Sequence, residues 1–141
     1  MRCVKVTSEV DAYSIIHMIE DKCDIEQVYG LGSVKKADIY ETFLDDCTIY
    51  KFMSDDYKHV YATAIIEDYD DGGLIHFAMF KPCHIMRGWK LLMDQIKDQY
   101  KFLASYIEED RQDIHKLLVM LGFKINYKNG YYYGRCKKGF F

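Results

Sequence analysis

A single proline stands in 141 residues, and no Gly/Ser-rich or low-complexity tract divides the chain, so no linker is expected. One domain with one core, spanning 1–141, is the simplest reading. No apolar run approaches the roughly 18 residues of a membrane span. The opening MRCVKVTSE carries no apolar signal-peptide core. Five cysteines (Cys3, Cys23, Cys47, Cys83, Cys136) never fall at C-x-x-C spacing. Scattered and odd in number, they point to free thiols in a reducing cytoplasm. Cys83-His84 and His115 have no second Cys/His pair at zinc-ligand spacing, so no metal is expected. Positive charge is also lacking: the net charge of -3 argues against a general nucleic-acid binder. Lys35-Lys36 and Lys137-Lys138 read as solvated surface. Gly72-Gly73 and Gly30-x-Gly32 are too sparse for a nucleotide-binding loop.

What is abundant is apolar and aromatic. Half of the residues are hydrophobic and thirteen are tyrosine, a composition that folds rather than staying disordered. Cys3–Val6 alternates as a short strand, and Thr7 or Ser8 can cap the helix that follows. Val10, Tyr13, Ile16 and Ile19, widened by Ile15 and Met18, predict a helix to Lys22. A less regular helical region passes through Ile25, Val28, Val34, Ile39 and Phe43, interrupted by Gly30 and Gly32. Three β-rich runs follow, CTIYKFM, HVYATAII and LIHFAMF, separated by Ser54-Asp55-Asp56 and by EDYDDGG; they read as an antiparallel meander. Ile85, Trp89, Leu92, Met93, Ile96 and Tyr100 predict the next helix.

The last third, FLASYIEEDRQDIHKLLVMLGFKINYKNGYYYGRC, predicts a buried strand at Phe102–Ile107 and a helix from about Arg111 to Leu121. Gly122 ends that helix, and Asn129-Gly130 turns a closing hairpin. The expected order is β-α-α-β-β-β-α-β-α-β-β.

That order resembles the GNAT superfamily of N-acetyltransferases over almost the whole chain. Two local motifs carry the resemblance: the helix running into Leu121-Gly122-Phe123, and the junction Lys81-Pro82-Cys83-His84-Ile85-Met86-Arg87-Gly88-Trp89. It implies an α+β fold, a mixed and mostly antiparallel sheet flanked by helices. It implies an acetyl-CoA cosubstrate whose pyrophosphate sits on the N–H groups of the junction and helix start. The residues implied for the cofactor are Cys83, Met86, Arg87, Gly88, Trp89 and Lys90, with main chain around Ala78 to Phe80 meeting the thioester carbonyl. Arg87-Gly88 resembles the first part of the family pattern; Trp89 and Lys90 depart from its small residues. Leu118 occupies the slot in which many members carry a catalytic tyrosine, and Arg111 falls near a slot for asparagine.

Acetyl transfer requires positioning, a polarised carbonyl and removal of a proton from the attacking amine. His76, two residues before Ala78 and on the same sheet face, and Glu67 at the end of the preceding strand are the candidate bases. Each has a structural alternative, a hydrogen-bonded histidine and a solvated acidic turn. Glu108 and Glu109 have the same two readings, and Tyr131, Tyr132 and Tyr133 should point to both faces of the hairpin. Cys83 beside Arg87 at a helix start is a candidate for a depressed thiol pKa.

Two function classes follow: an acetyl-CoA-dependent N-acetyltransferase acting on a small amine or a protein, and a catalytically silent domain that binds a protein partner. The second resembles small GNAT-like proteins of bacteriophages, some of them associated with virion assembly; a phage source would place the chain in the host cytoplasm. An unrelated α/β fold with the same element order is the third possibility.

Overall fold

The computed structural model describes residues 1–22, 47–108, 111–128 and 131–137. In chain order its elements are β1 (Arg2–Lys5), α1 (Glu9–Lys22), β2 (Cys47–Met53), β3 (Val60–Tyr69), β4 (Gly72–Met79), α2 (Ile85–Ile96), β5 (Phe102–Glu108), α3 (Gln112–Met120), β6 (Lys124–Lys128) and β7 (Tyr131–Lys137). The order agrees with the sequence reading wherever residues are described. The helical region expected through Ile25 to Phe43 lies outside them, as do Glu109 and Asn129-Gly130.

All seven strands join one sheet, in the order β1-β2-β3-β4-β5-β7-β6. Every neighbouring pair is antiparallel except β4 and β5, which run parallel because α2 carries the chain across between them. Side chains alternate faces along each strand. One face (Phe52, Ala64, Ile66, Ile75, Leu103, Ile107) packs under α2 and α3, with Leu92, Ile96 and Leu118 closing the core from the helix side. The apolar stripe of α2 is why it lies there: Gly88, Trp89, Leu92, Met93 and Ile96 recur at helical spacing and are buried. On the opposite face α1 covers Ile49, Ile65 and Ala78 with Ala12, Ile15, Ile16 and Ile19. Lys51 Nζ, 2.7 Å from Asp11 Oδ2, ties the same helix to β2.

The run EDYDDGG differs from its expected role as one long reversal. Glu67–Tyr69 still belongs to β3, and Gly72 and Gly73 already pair in β4. Only Asp70-Asp71 turns, and Asp70 takes a φ of 52°, tolerable for a short polar side chain. The two glycines are where β5 presses in. A Cβ at Gly72 would lie 2.6 Å from the Phe102 carbonyl oxygen, and one at Gly73 would lie 2.7 Å from Ile66 Cγ2.

Gly122 ends α3 as expected, with a φ of 93°. The Phe123 N–H donates to the Leu118 carbonyl at 3.0 Å and the Gly122 N–H to that of Val119 at 3.1 Å, the paired bonds of a Schellman motif. Because the left-handed backbone strains any residue with a Cβ, Gly122→Ala is expected to cost about 1 kcal/mol. Denaturant unfolding checks this: a midpoint equal to that of the unmodified chain would refute it.

Candidate functional site

β4 and β5 are paired only at their beginnings. Gly73 aligns with Leu103 and Leu74 with Ala104, yet β4 continues to Met79 and β5 to Glu108. Beyond the glycine contact the two strands diverge and leave a wedge-shaped gap in the middle of the sheet. Backbone groups alternate sides along a strand. The Phe80 N–H donates to the Tyr61 carbonyl at 2.9 Å, so amides of even-numbered residues here point to β3. Of the main chain expected around Ala78 to Phe80, the amides of Ala78 and Phe80 face β3, and those of Met79 and the neighbouring Phe77 are directed to the open side. Ala78 and Phe80 also pack their side chains against the α1 cluster.

α2 begins where the gap is widest. His84 precedes it without a side-chain cap, and its carbonyl accepts from the N–H groups of Arg87 at 3.1 Å and Gly88 at 3.2 Å. The amides before these have no intrahelical partner in any helix and carry the positive end of the dipole. Arg87 is exposed, and its charge, with those of the N-terminus and Arg2, helps hold the Asp55 carboxyl below the usual range; the hydrogen bond from the N-terminus is the largest cause. Lys90 is exposed on another side of the helix. Gly88 faces inward: a Cβ there would lie 3.0 Å from the Phe52 ring and 3.2 Å from Met1 Sδ. Its N–H is spent on His84, so this glycine brings the helix close to the sheet. Cys83 also departs from expectation, because burial raises its thiol pKa instead of lowering it.

Trp89 is only 5 % exposed. Its ring lies 6.1 Å from that of Phe77 on β4 and 5.8 Å from that of Phe123 before β6. The indole therefore spans the helix-side floor of the gap, next to the fully buried Leu118. A groove of about 470 Å³ runs outside it, between Met86, Lys90 and Met93 on α2 and Met120, Leu121 and Gly122 at the end of α3.

On the other face of the gap the structure brings together two residues that the sequence put forward separately. His76 and Glu67 are diagonal neighbours across β3 and β4, and His76 Nε2 lies 3.3 Å from Glu67 Oε1. The histidine side chain is 3 % exposed and the glutamate 21 %, so the carboxylate is the reachable partner. Thr63, on the same face and diagonal to His76, has a buried hydroxyl with no hydrogen-bond partner among the described residues. A third group was missed by sequence reasoning. Tyr69 from β3, Tyr106 from β5 and Tyr133 from β7 converge here, the first two with hydroxyls 3.2 Å apart and the last two with rings 5.0 Å apart. Tyr133 takes this face and Tyr132 the other, with Tyr127 opposite it; there the Tyr132 ring meets His115 at 4.7 Å. Period-2 alternation gives these faces, but the Tyr69–Tyr106 contact depends on strand order.

Among the described residues no three of His, Cys, Asp and Glu gather as metal ligands, and no helix is long and apolar enough to cross a membrane.

No family model matches the sequence, and no curated protein matches it. Solved structures do match the fold. An N-acetyltransferase from Staphylococcus aureus Mu50 superposes with a TM-score of 0.68 at 14% identity, over 97% of this chain and 98% of that one. The PaiA N-acetyltransferase of Thermoplasma acidophilum, solved in complex with coenzyme A, gives 0.64 at 12% identity, over 97% and 99%. The protein smu.2055 of Streptococcus mutans UA159 gives 0.71 at 11% identity, over 97% and 99%. Strand order, the single parallel junction and these superpositions together establish the fold of this chain as that of the GNAT acetyltransferases.

Proposed function

We propose that the protein is an N-acetyltransferase that moves an acetyl group from acetyl-CoA to an amine. The observation that carries this is the gap between β4 and β5, with a helix N-terminus at its wide end and a carboxylate–imidazole pair on its far face. Diphosphate would rest on the amides around Cys83–Met86, with Arg87 or Lys90 as charge-assisted partners. The arm bearing the thioester would enter the gap, where the Phe77 amide can polarise the carbonyl. The amine nitrogen attacks the carbonyl carbon, Glu67 takes its proton directly or through water, and the carbon–sulfur bond breaks. His76 positions Glu67. With leucine at position 118, the departing thiolate would take its proton from water.

One observation favours a second reading, a silent domain of the same fold that binds a protein, as in the phage proteins it resembles. Trp89 and Leu118 close the helix-side floor of the gap that the cofactor arm must enter. Calorimetric titration with acetyl-CoA separates the two. The enzyme reading expects micromolar affinity, weakened about ten-fold or more by Arg87→Glu, which reverses a charge beside the phosphate site. A folded protein with no detectable binding would overturn that reading and leave the silent one.

A further inference from the structure

β5, β7 and β6 form the outer half of the sheet, and their register lays out a grid on the α1 side. Directly opposed residues share a face. One row is Phe102 and Lys137, the next Ala104, Arg135 and Lys124, and the third Tyr106, Tyr133 and Asn126. The reverse face of these strands, with Leu103, Ile107 and Cys136, lies under α2 and α3. Among the described residues, the α1 cluster draws on β2, β3 and β4 and takes nothing from β5, β7 or β6. Lys124, Asn126, Arg135 and Lys137 are accordingly exposed, and Tyr106 is 41 % exposed.

Three cations therefore share one flat surface in a chain whose net charge is -3. None of the three meets a carboxylate among the described residues. The acids stand at the border. Asp71, at the β3–β4 turn, is met by Lys101 at 3.7 Å, and Asp70 adds to the rise that burial chiefly imposes on the Tyr133 phenol. Glu67 lies beyond β4, against His76. Flat groups accompany the charges. The Arg135 guanidinium rests on the Phe102 ring, 3.8 Å from its centroid, with its other side outward. The Tyr106 ring packs on Tyr133 at 5.0 Å, and its hydroxyl meets that of Tyr69 at 3.2 Å, so it is held in place. Phe102 and Tyr106 are four residues apart on β5, about 13 Å, within the several nucleotides that one such face holds.

Unstacked bases lie on aromatic rings and on guanidinium planes, while phosphates follow lysines. A duplex keeps its base faces inside, and an acidic peptide would use the charges and leave the rings idle. We propose that this face binds single-stranded nucleic acid, with bases on Tyr106 and Arg135 and phosphates along Lys124 and Lys137. The inference goes beyond the acetyl-transfer reading and does not depend on it.

The test is fluorescence anisotropy at low salt with labelled oligo(dT) and oligo(U) of about twelve nucleotides. Micromolar affinity is expected, falling with salt at a log–log slope between about -1 and -2, as two or three phosphate contacts to a single strand require. Tighter binding of one oligonucleotide than the other supports the proposal and identifies the sugar. Lys124→Glu should weaken binding about five-fold or more, whereas Lys116→Glu, an equal change of charge at an exposed position on α3, should leave it unchanged. Tyr106→Phe should keep the affinity, and Tyr106→Ala should lower it about five-fold or more. Lys124→Glu, on an exposed side chain, carries the test where Tyr106→Ala fails to fold. No binding of either oligonucleotide, an equal loss with Lys116→Glu, or a folded Tyr106→Ala of full affinity would overturn the proposal. Polyglutamate competing as well as the oligonucleotides would overturn it in favour of an acidic protein, and duplex DNA competing as well would leave the rings without a part and overturn it too.

Discussion

Replacing Glu67 with glutamine is expected to slow acetyl transfer by about 10²–10⁴-fold, the usual contribution of a positioned base. Glutamine keeps the shape of the side chain and can still hydrogen-bond to His76, 3.3 Å away, so packing and unfolding midpoint should hold. What it cannot do is accept the proton of the attacking amine. Acetyl-CoA affinity should also be unchanged, because Glu67 faces the side of the sheet covered by α1, away from α2 and α3. Glu67→Asp should recover part of the rate. His76→Gln should cost less than Glu67→Gln, since it disturbs the orientation of the base and leaves the base in place. Release of coenzyme A thiol with an amine that the unmodified protein acetylates measures all three. A full rate in Glu67→Gln would move the base elsewhere.

Trp89→Ala is expected to destabilise the protein by about 3–5 kcal/mol, the range for removing a large buried aromatic. The indole packs between Phe77 on β4 and Phe123 before β6, and its loss leaves a cavity that α2 cannot collapse into while Gly88 is already against Phe52. For a chain of this size the thermal midpoint should fall by about 10–15 °C. Trp89→Phe, which keeps one ring, should fall by less than half of that. A fall of only a few degrees for the alanine variant would show the indole to be loosely held. Acetyl-CoA titration of the same variant has a separate use: affinity that rises as stability falls would mark Trp89 as a plug, the behaviour expected of the silent reading.

Local signals carried much of this architecture. CTIYKFM is β2 residue for residue, Gly122 ends α3 with the expected left-handed backbone, and Lys128 pairs with Tyr131 on either side of Asn129-Gly130. Each is written in a few adjacent residues, through β-propensity, a glycine or a turn dipeptide. The contact between His76 and Glu67 was legible only as two separate candidates. A diagonal contact depends on register, and EDYDDGG conceals where β3 stops. The tyrosine cluster was not legible at all, since strand order decides which three of thirteen tyrosines meet. Gly88 shows a different limit: the same dipeptide can mark a phosphate loop or a close helix–sheet approach, and Phe52 and Met1, far away in sequence, decide between them.

The glycine contact between β4 and β5 has a mechanical side. The sheet is two smaller sheets, β1 to β4 and β5 with β7 and β6, joined along a seam of two residue pairs. With so short a seam, the opening between the halves is governed at its apex and by α2, the strap that leaves one half and delivers the chain to the other. Bulk added at position 72 or 73 would act as a shim, forcing the halves apart without altering any side chain that lines the opening. The width of the cleft is thus set from outside it, by residues with almost no side chain of their own.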